Sequence, residues 1–195
     1  MNTPQLDTER LILRKFTEDD IEALYILLND EEINTFLPWF RIKTIDEAAQ
    51  FFQEKFADNY KKPCAYNYAI CLKEDNYPIG YVNVNMDDSH DLGYGLRKEF
   101  WHKSIATEAG KAVVERLKKD GIPYITATHD VNNLRSGGVM KQLGMKYQYS
   151  YAEQVQPKDI LVVFRMYQLN LDGATEQVYQ KYWDKSKEHF IETDI

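Results

Sequence analysis

The sequence predicts an α/β chain of the α+β kind: a central mixed, mostly antiparallel sheet flanked by helices, with a helical tail at its end. Three observations predict it. Short apolar runs with strand character alternate along the chain with runs at helical spacing. Neighbouring strand runs meet at turn clusters of hairpin length, which argues for antiparallel pairing. Residues 91–129 read strand, helix, strand, which argues for one parallel crossover.

Leu6 to Lys15 reads as the first strand, with Leu11 and Leu13 on one face. Thr17-Glu18-Asp19-Asp20 then opens a helix, because a threonine cap and acids suit the positive end of the helix dipole. Ile21, Leu24, Leu27 and Leu28 mark its buried stripe. Thr44-Ile45-Asp46-Glu47 is a capping box for a second helix, whose apolar face is Ala48, Phe51, Phe52 and Phe56. The aromatic loop Phe36-Leu37-Pro38-Trp39-Phe40 lies between them. It reads equally as packing under a loop and as the wall of a substrate pocket containing Trp39.

Tyr66 to Lys73 and Ile79 to Met86 form a hairpin around Glu74-Asp75-Asn76-Tyr77-Pro78. Asp91 to Leu96 is the next strand. Ile105 to Lys119 is a helix stopped by Gly121 and Pro123. Tyr124 to His129 is a strand, Leu134 to Leu143 a helix ended by Gly144, and Lys146 to Val155 and Ile160 to Leu169 a closing pair of strands. Residues 1–171 make one domain on this reading, and 172–195 an extension. Tyr179, Tyr182, Trp183, His189 and Phe190 punctuate the extension, and their spacing predicts a helix over Thr175 to Lys187 that docks on the domain or, in a homodimer, on a partner subunit.

The 195 residues suit one domain with an appendage, and 44% hydrophobic content argues against disorder. No run approaches a membrane span. The charged N-terminus lacks the apolar core of a secretory signal, so a cytoplasmic protein without membrane attachment is expected. A net charge of −7 disfavours nucleic acid as a partner. Cys64 and Cys71 match no zinc motif and read as reduced thiols, and no metal is expected.

The stretch from Asp91 to Ala109 carries the chemistry. A strand runs through a turn into a helix, and the unpaired N–H groups of a first helical turn form a ready site for phosphate. Lys103 adds a charge-assisted contact. This segment resembles the acetyl-CoA-binding motif of the GNAT N-acetyltransferase superfamily, in the branch of the ribosomal-protein-alanine N-acetyltransferases. The match is Gly93-Tyr94-Gly95-Leu96, then Phe100-Trp101-His102-Lys103-Ser104-Ile105-Ala106-Thr107-Glu108-Ala109. Leu6-Asp7-Thr8-Glu9-Arg10-Leu11-Ile12-Leu13-Arg14, Ile79-Gly80-Tyr81, and Asn133-Leu134-Arg135-Ser136 followed by Val139 to Met145 resemble further pieces of the branch, in its order. The resemblance spans roughly residues 6–170.

The resemblance implies the GNAT fold, acetyl-CoA as co-substrate and a primary amine as acceptor, either a protein N-terminus or a small molecule. It implies direct transfer in a ternary complex. Leu96, Trp101, His102, Lys103, Ser104, Ile105, Ala106 and Thr107 would hold the cofactor, with a backbone N–H near Leu96 on the thioester carbonyl and Asn133 on the pantetheine arm. Asp91, with His90 beside it, would be the base, and Ser136 the acid, since the branch's alternative tyrosine position is Met140. Tyr94 reads as pocket lining or as core. Asp91 and His90 also read as exposed strand-entry residues, and Asn133 as a helix cap. His129 reads as structural. His102 and Ser104 stand where the family usually has glycine, a residue that tolerates positive φ and close phosphate approach. That departure leaves an alternative open: a catalytically inactive acyl-CoA sensor or protein-binding module of the same fold.

Overall fold

The computed structural model describes residues 2–174, 176–193 and 195. The predicted first strand is broken by a turn at Thr8–Arg10 into β1 (Leu6–Asp7) and β2 (Leu11–Arg14). Then come α1 (Ile21–Leu28), the short α2 (Glu31–Asn34), α3 (Ile45–Phe52) and α4 (Asp58–Tyr60), the last two joined by a wide turn of π geometry. The hairpin strands are β3 (Tyr66–Leu72) and β4 (Pro78–Val84), and β5 is Leu92–Leu96. The helix α5 occupies Ile105–Lys119, the predicted span. It is followed by β6 (Tyr124–Asp130), α6 (Leu134–Gln142), β7 (Lys146–Val155) and β8 (Ile160–Asn170). The chain closes with α7 (Lys181–Lys185) and β9 (His189–Phe190).

The expected central sheet is two antiparallel sheets in contact. One has the order β1-β2-β3-β4-β5 and the other β6-β8-β7-β9. They meet at a single parallel bridge, Asp91 with Thr126, where the Thr126 N–H donates to the His90 carbonyl. This is the predicted parallel crossover, reduced to its first residue pair. Beyond it β5 pairs with β4 and β6 with β8, and the two strands pair no further with each other. Gly80 sets the approach of β4 to β5: a Cβ there would stand 2.2 Å from the Gly95 carbonyl oxygen, so only glycine fits.

Helices cover both faces of the first sheet. On one, Leu11, Leu13, Ile70 and Val82 pack with Val113 and Leu117 of α5. On the other, Ala69, Cys71 and Tyr81 pack with Leu24, Leu27 and Leu28 of α1 and with Ala48 and Phe52 of α3. Complete burial of a leucine side chain contributes about 2 kcal/mol, so Leu11 and Leu13 anchor the N-terminal hairpin. The predicted cap of α3 is present, with the Glu47 N–H donating to Thr44 Oγ1 at 3.1 Å.

The tail is a strap rather than one helix. Its helical segment is Lys181–Lys185, shorter than the periodicity predicts, and Thr175 lies outside the described residues. Val178, Tyr179, Tyr182 and Trp183 pack on Tyr149, Tyr151 and Met166 of the second sheet. β9 then adds an edge strand to β7. The period-3.6 pattern of aromatics was satisfied by docking onto a sheet, which constrains contact and not helical conformation.

Candidate active site

The turn into α5 retains the backbone that glycine would adopt. His102 has φ 59° and Ser104 φ 57°, both in the left-handed region. A side chain there costs roughly 1–2 kcal/mol per residue, and the surrounding fold imposes it. Ser104 is the N-cap of α5, yet its side chain makes no capping hydrogen bond. The first intrahelical bond runs from Glu108 N–H to the Ser104 carbonyl, so the N–H groups of Ile105, Ala106 and Thr107 have no carbonyl of the helix to meet. The Thr107 hydroxyl is turned inward to Gln142 Oε1 at 2.8 Å.

A carboxylate locks this turn to the start of the chain. Glu108 accepts from the Thr8 hydroxyl at 2.6 Å, from the Arg10 N–H at 2.9 Å and from Arg10 Nε at 2.7 Å. The Arg10 guanidinium also donates to the Lys103 carbonyl at 3.0 Å. The Lys103 ammonium rests over the Phe100 ring. These bonds hold the Glu108 carboxyl below the usual carboxylate range despite its partial burial.

The outer edge of β5 is open. Arg97 N–H donates to Ile79 of β4, and backbone direction alternates along a strand, so Tyr94 and Leu96 present their N–H and carbonyl groups away from β4. Trp101 Nε1 donates to the Leu96 carbonyl at 2.9 Å, and the Arg135 guanidinium stacks 4.6 Å from the Trp101 ring. The Leu96 N–H is left facing the gap between the sheets.

Asp91 stands where the sheets join. Burial pushes its carboxyl up to about 7, and the nearby Asp87 charge acts in the same direction. Thr126 Oγ1 lies 2.9 Å from the Ser89 carbonyl and 3.3 Å from Asp91 Oδ1. A hydroxyl has one proton, and the shorter bond takes it, so the carboxylate receives little compensation. His90, at φ 46°, has its Nδ1 buried without a partner among the described residues and its ring against Tyr124.

Ser136 sits in the first turn of α6. Asn133 caps that helix, its Oδ1 accepting the Ser136 N–H at 3.3 Å, and its amide NH2 is left as a donor. Tyr94 reaches across from β5, its hydroxyl 2.7 Å from the Ser136 carbonyl and 2.9 Å from Ser136 Oγ. Burial raises the tyrosine's pKa, keeping it protonated.

The GNAT acetyltransferase domain model matches residues 10–146. The chain belongs to the GNAT acetyltransferase family. A curated relative, the uncharacterised N-acetyltransferase YnaD of Bacillus subtilis, is 26% identical over 145 residues, covering 72% of this chain and 82% of that protein. Among solved structures, the fold matches the ribosomal L7/L12 alpha-N-protein acetyltransferase RimL in complex with coenzyme A, with TM-score 0.75 and 19% identity over 88% of this chain and 100% of that one. It also matches the microcin C7 self-immunity acetyltransferase MccE in complex with acetyl-CoA and AMP, with TM-score 0.72 and 22% identity over 84% and 93% of the two chains.

In this acetyltransferase the residues singled out from sequence fall into three groups. Leu96 and Trp101 to Thr107 line the turn and strand edge, and Asn133, Ser136 and Tyr94 meet across the gap. Asp91 is near enough to Tyr94 for its charge to oppose the tyrosine's ionisation. The Trp39 ring packs on Phe51 at 5.4 Å, its carbonyl accepts from the Asn34 amide of α2, and its indole N–H is buried without a partner among the described residues. His129 packs beneath α6, where a Cβ on Gly137 would stand 2.6 Å from its Nε2, and burial lowers its pKa. Met140 is core. Sequence reasoning passed over Thr126, whose hydroxyl lies 3.3 Å from Asp91 Oδ1, and over Tyr151 and Tyr182, which stack on each other on the second sheet and whose ionisation the Asp91 charge opposes. Strand alternation put Thr126 and Tyr151 on β6 and β7 without saying which face met Asp91; the aromatic tail was the one available signal for Tyr182.

Proposed function

We propose that this acetyltransferase moves acetyl from acetyl-CoA to a primary amine by direct transfer. Acetyl-CoA supplies an activated thioester, and the residues around the gap between β5 and β6 meet its requirements. The observation that carries the reading is the left-handed pair His102 and Ser104, which keeps the first N–H groups of α5 uncapped beside Lys103 although neither residue is glycine. Such a turn suits a pyrophosphate. The Leu96 N–H suits an acyl oxygen, and the Asn133 amide a polar group of the pantetheine arm.

Two proton positions complete the site. An alkylammonium is protonated at neutral pH and must lose a proton before it attacks. Asp91, titrating near 7, is matched to that transfer. The departing thiolate needs a proton, and Ser136 Oγ, which Tyr94 holds in place as an acceptor, can supply one by turning its proton from the tyrosine oxygen to the sulfur. Cys71 is disfavoured as a nucleophile, because it is fully buried and its thiol is pushed up to about 12. The acceptor is a protein N-terminus or a small amine, a cationic partner in keeping with the net charge of −7.

Calorimetric titration with acetyl-CoA, with CoA and ATP as controls, tests the cofactor half. Micromolar binding of acetyl-CoA without an ATP response is expected, followed by CoA thiol release when amines and peptide N-termini are added. Absence of acetyl-CoA binding would overturn the reading.

A further inference from the structure

The gap between the two sheets is bridged at successive points along β5. At its base Asp91 pairs with Thr126. Further along, the Tyr94 hydroxyl meets Ser136 of α6. At the end of the strand Trp101 donates from Nε1 to the Leu96 carbonyl at 2.9 Å, and its ring carries the Arg135 guanidinium on its face, 4.6 Å from the ring centroid. The strands themselves pair no further than the first residue, so from Tyr94 outward the width of the gap rests on side chains.

Arg135 lies in the first turn of α6, next to Ser136. Trp101 is bound to the strand edge that presents the Leu96 N–H. One stack therefore ties the helix carrying the candidate acid to the strand suited to the acyl oxygen. The two groups address neighbouring atoms of one thioester, the N–H its oxygen and the hydroxyl its sulfur. Both atoms are bonded to the same carbon, so the N–H and the hydroxyl must stand at one matched separation. A shift of α6 against β5 spoils that match.

The other partner of the guanidinium is Glu32 Oε1, at 3.8 Å, with side chains 59% and 56% exposed. An exposed pair of that length contributes little. Glu32 belongs to α2, which has its own anchors. Its cap Asp30 pairs with Lys98 at 3.1 Å, and its Asn34 carbonyl accepts from Lys158 of the β7–β8 turn at 2.7 Å. The ring face is thus the stronger contact of Arg135, since a planar guanidinium stacks on indole where an ion pair in water gains little.

We propose that Arg135 is a positioning residue whose stack on Trp101 sets the distance across the gap between Ser136 Oγ and the Leu96 N–H, and so aligns the candidate acid with the thioester. The inference rests on the acetyl-transfer reading, in which Ser136 protonates the departing thiolate.

The test measures CoA thiol release by the full chain with propylamine, putrescine and a tetrapeptide bearing a free N-terminus. The variants are Arg135→Ala, Glu32→Gln, Ser136→Ala and the double variant R135A/S136A. Arg135 is exposed, so its truncation leaves the fold in place. R135A is expected to lower kcat about tenfold, short of the roughly hundredfold that a 1 Å misplacement costs. Both KM values, and acetyl-CoA affinity by calorimetry, should stay within about threefold. E32Q is expected to keep the wild-type kcat. In the S136A background, R135A should lower kcat by no more than about twofold, because no hydroxyl remains to be placed. A merely structural role would cost the same factor in both backgrounds. Equal losses in the two backgrounds, an unchanged kcat in R135A, or a loss in E32Q as large as that in R135A would overturn the proposal. A loss confined to acetyl-CoA affinity would overturn it too, by making Arg135 a cofactor ligand. A wild-type chain without turnover on the whole panel overturns the transfer reading, and this inference with it, an outcome distinct from every pattern among active variants.

Discussion

The Tyr94 hydroxyl lies 2.9 Å from Ser136 Oγ and 2.7 Å from the Ser136 carbonyl oxygen. A carbonyl only accepts, so the tyrosine proton goes there, and the serine hydroxyl donates to the tyrosine oxygen. The candidate acid is thus held in one rotamer by a side chain from the opposite strand, across the gap where the sheets separate.

Ser136→Ala removes the hydroxyl and leaves the Asn133 cap, which uses the Ser136 backbone N–H. Turnover is expected to fall about a hundredfold, the lower range for a positioned acid, with acetyl-CoA affinity unchanged. Steady-state kinetics set beside calorimetry check this. Equal turnover in the variant removes Ser136 from the chemistry.

Asp91 titrates near 7, so below that pH it carries a proton and cannot accept one. The rate should rise with pH through this region, and Asp91→Asn should abolish that rising limb. Stability has the opposite sign. Between about 4, where an unfolded aspartate titrates, and 7, the folded chain holds the extra proton, so stability falls as pH rises through that window. Asp91→Asn should therefore raise the melting temperature at pH 8 and leave it unchanged at pH 3, as thermal denaturation at the two pH values will show.

His102 and Ser104 hold left-handed backbone with side chains in place. Glycine removes that cost but adds entropy to the unfolded chain, leaving a net gain of about 0.5–1 kcal/mol per site. His102→Gly and Ser104→Gly should each shift the urea midpoint upward and retain acetyl-CoA binding. A downward shift at either site contradicts the strain argument.

Glu108 ties Thr8 and Arg10 to α5. Glu108→Ala strands those donors and releases the β1–β2 hairpin from the turn into α5, at a cost of about 2–3 kcal/mol. Denaturant unfolding measures the loss. The native carboxyl lies below its ordinary value, so the stabilisation is full at neutral pH and disappears as pH falls through the folded pKa; the difference between wild type and variant should shrink in acid.

Truncation after Leu171 deletes β9, α7 and the Arg165–Glu192 pair, and bares Tyr149, Tyr151 and Met166. The melting temperature is expected to drop and self-association to appear, because an uncovered aromatic sheet face seeks another. An unaltered melting curve and unaltered mass by light scattering would mean that the strap contributes nothing to the fold.

Much was readable from the chain. The period-3.6 stripe of α5 and its Gly121 stop marked a helix from Ile105 to Lys119, and that is its extent. The motif Ala106-Thr107-Glu108-Ala109 and the opening Thr8-Glu9-Arg10 were both visible, but not that one carboxylate joins them. Local signals of this kind survive because capping, alternation and turn chemistry act over a few residues. The short α2 and the two-residue β9 carry too few residues for a pattern, and the tail's aromatics satisfied a sheet face instead of a helix.

Residue order along the chain set most helix and strand identities, the turn into α5 and the family, since each depends on neighbours in sequence. Packing set the rest. The separation of β5 from β6 after one residue pair, the rise of the Asp91 pKa, and the stacking of Tyr182 on Tyr151 come from segments tens of residues apart brought together. Desolvation and strain of that sort belong to the assembled interior, where burial and close contact act between groups that no local pattern relates.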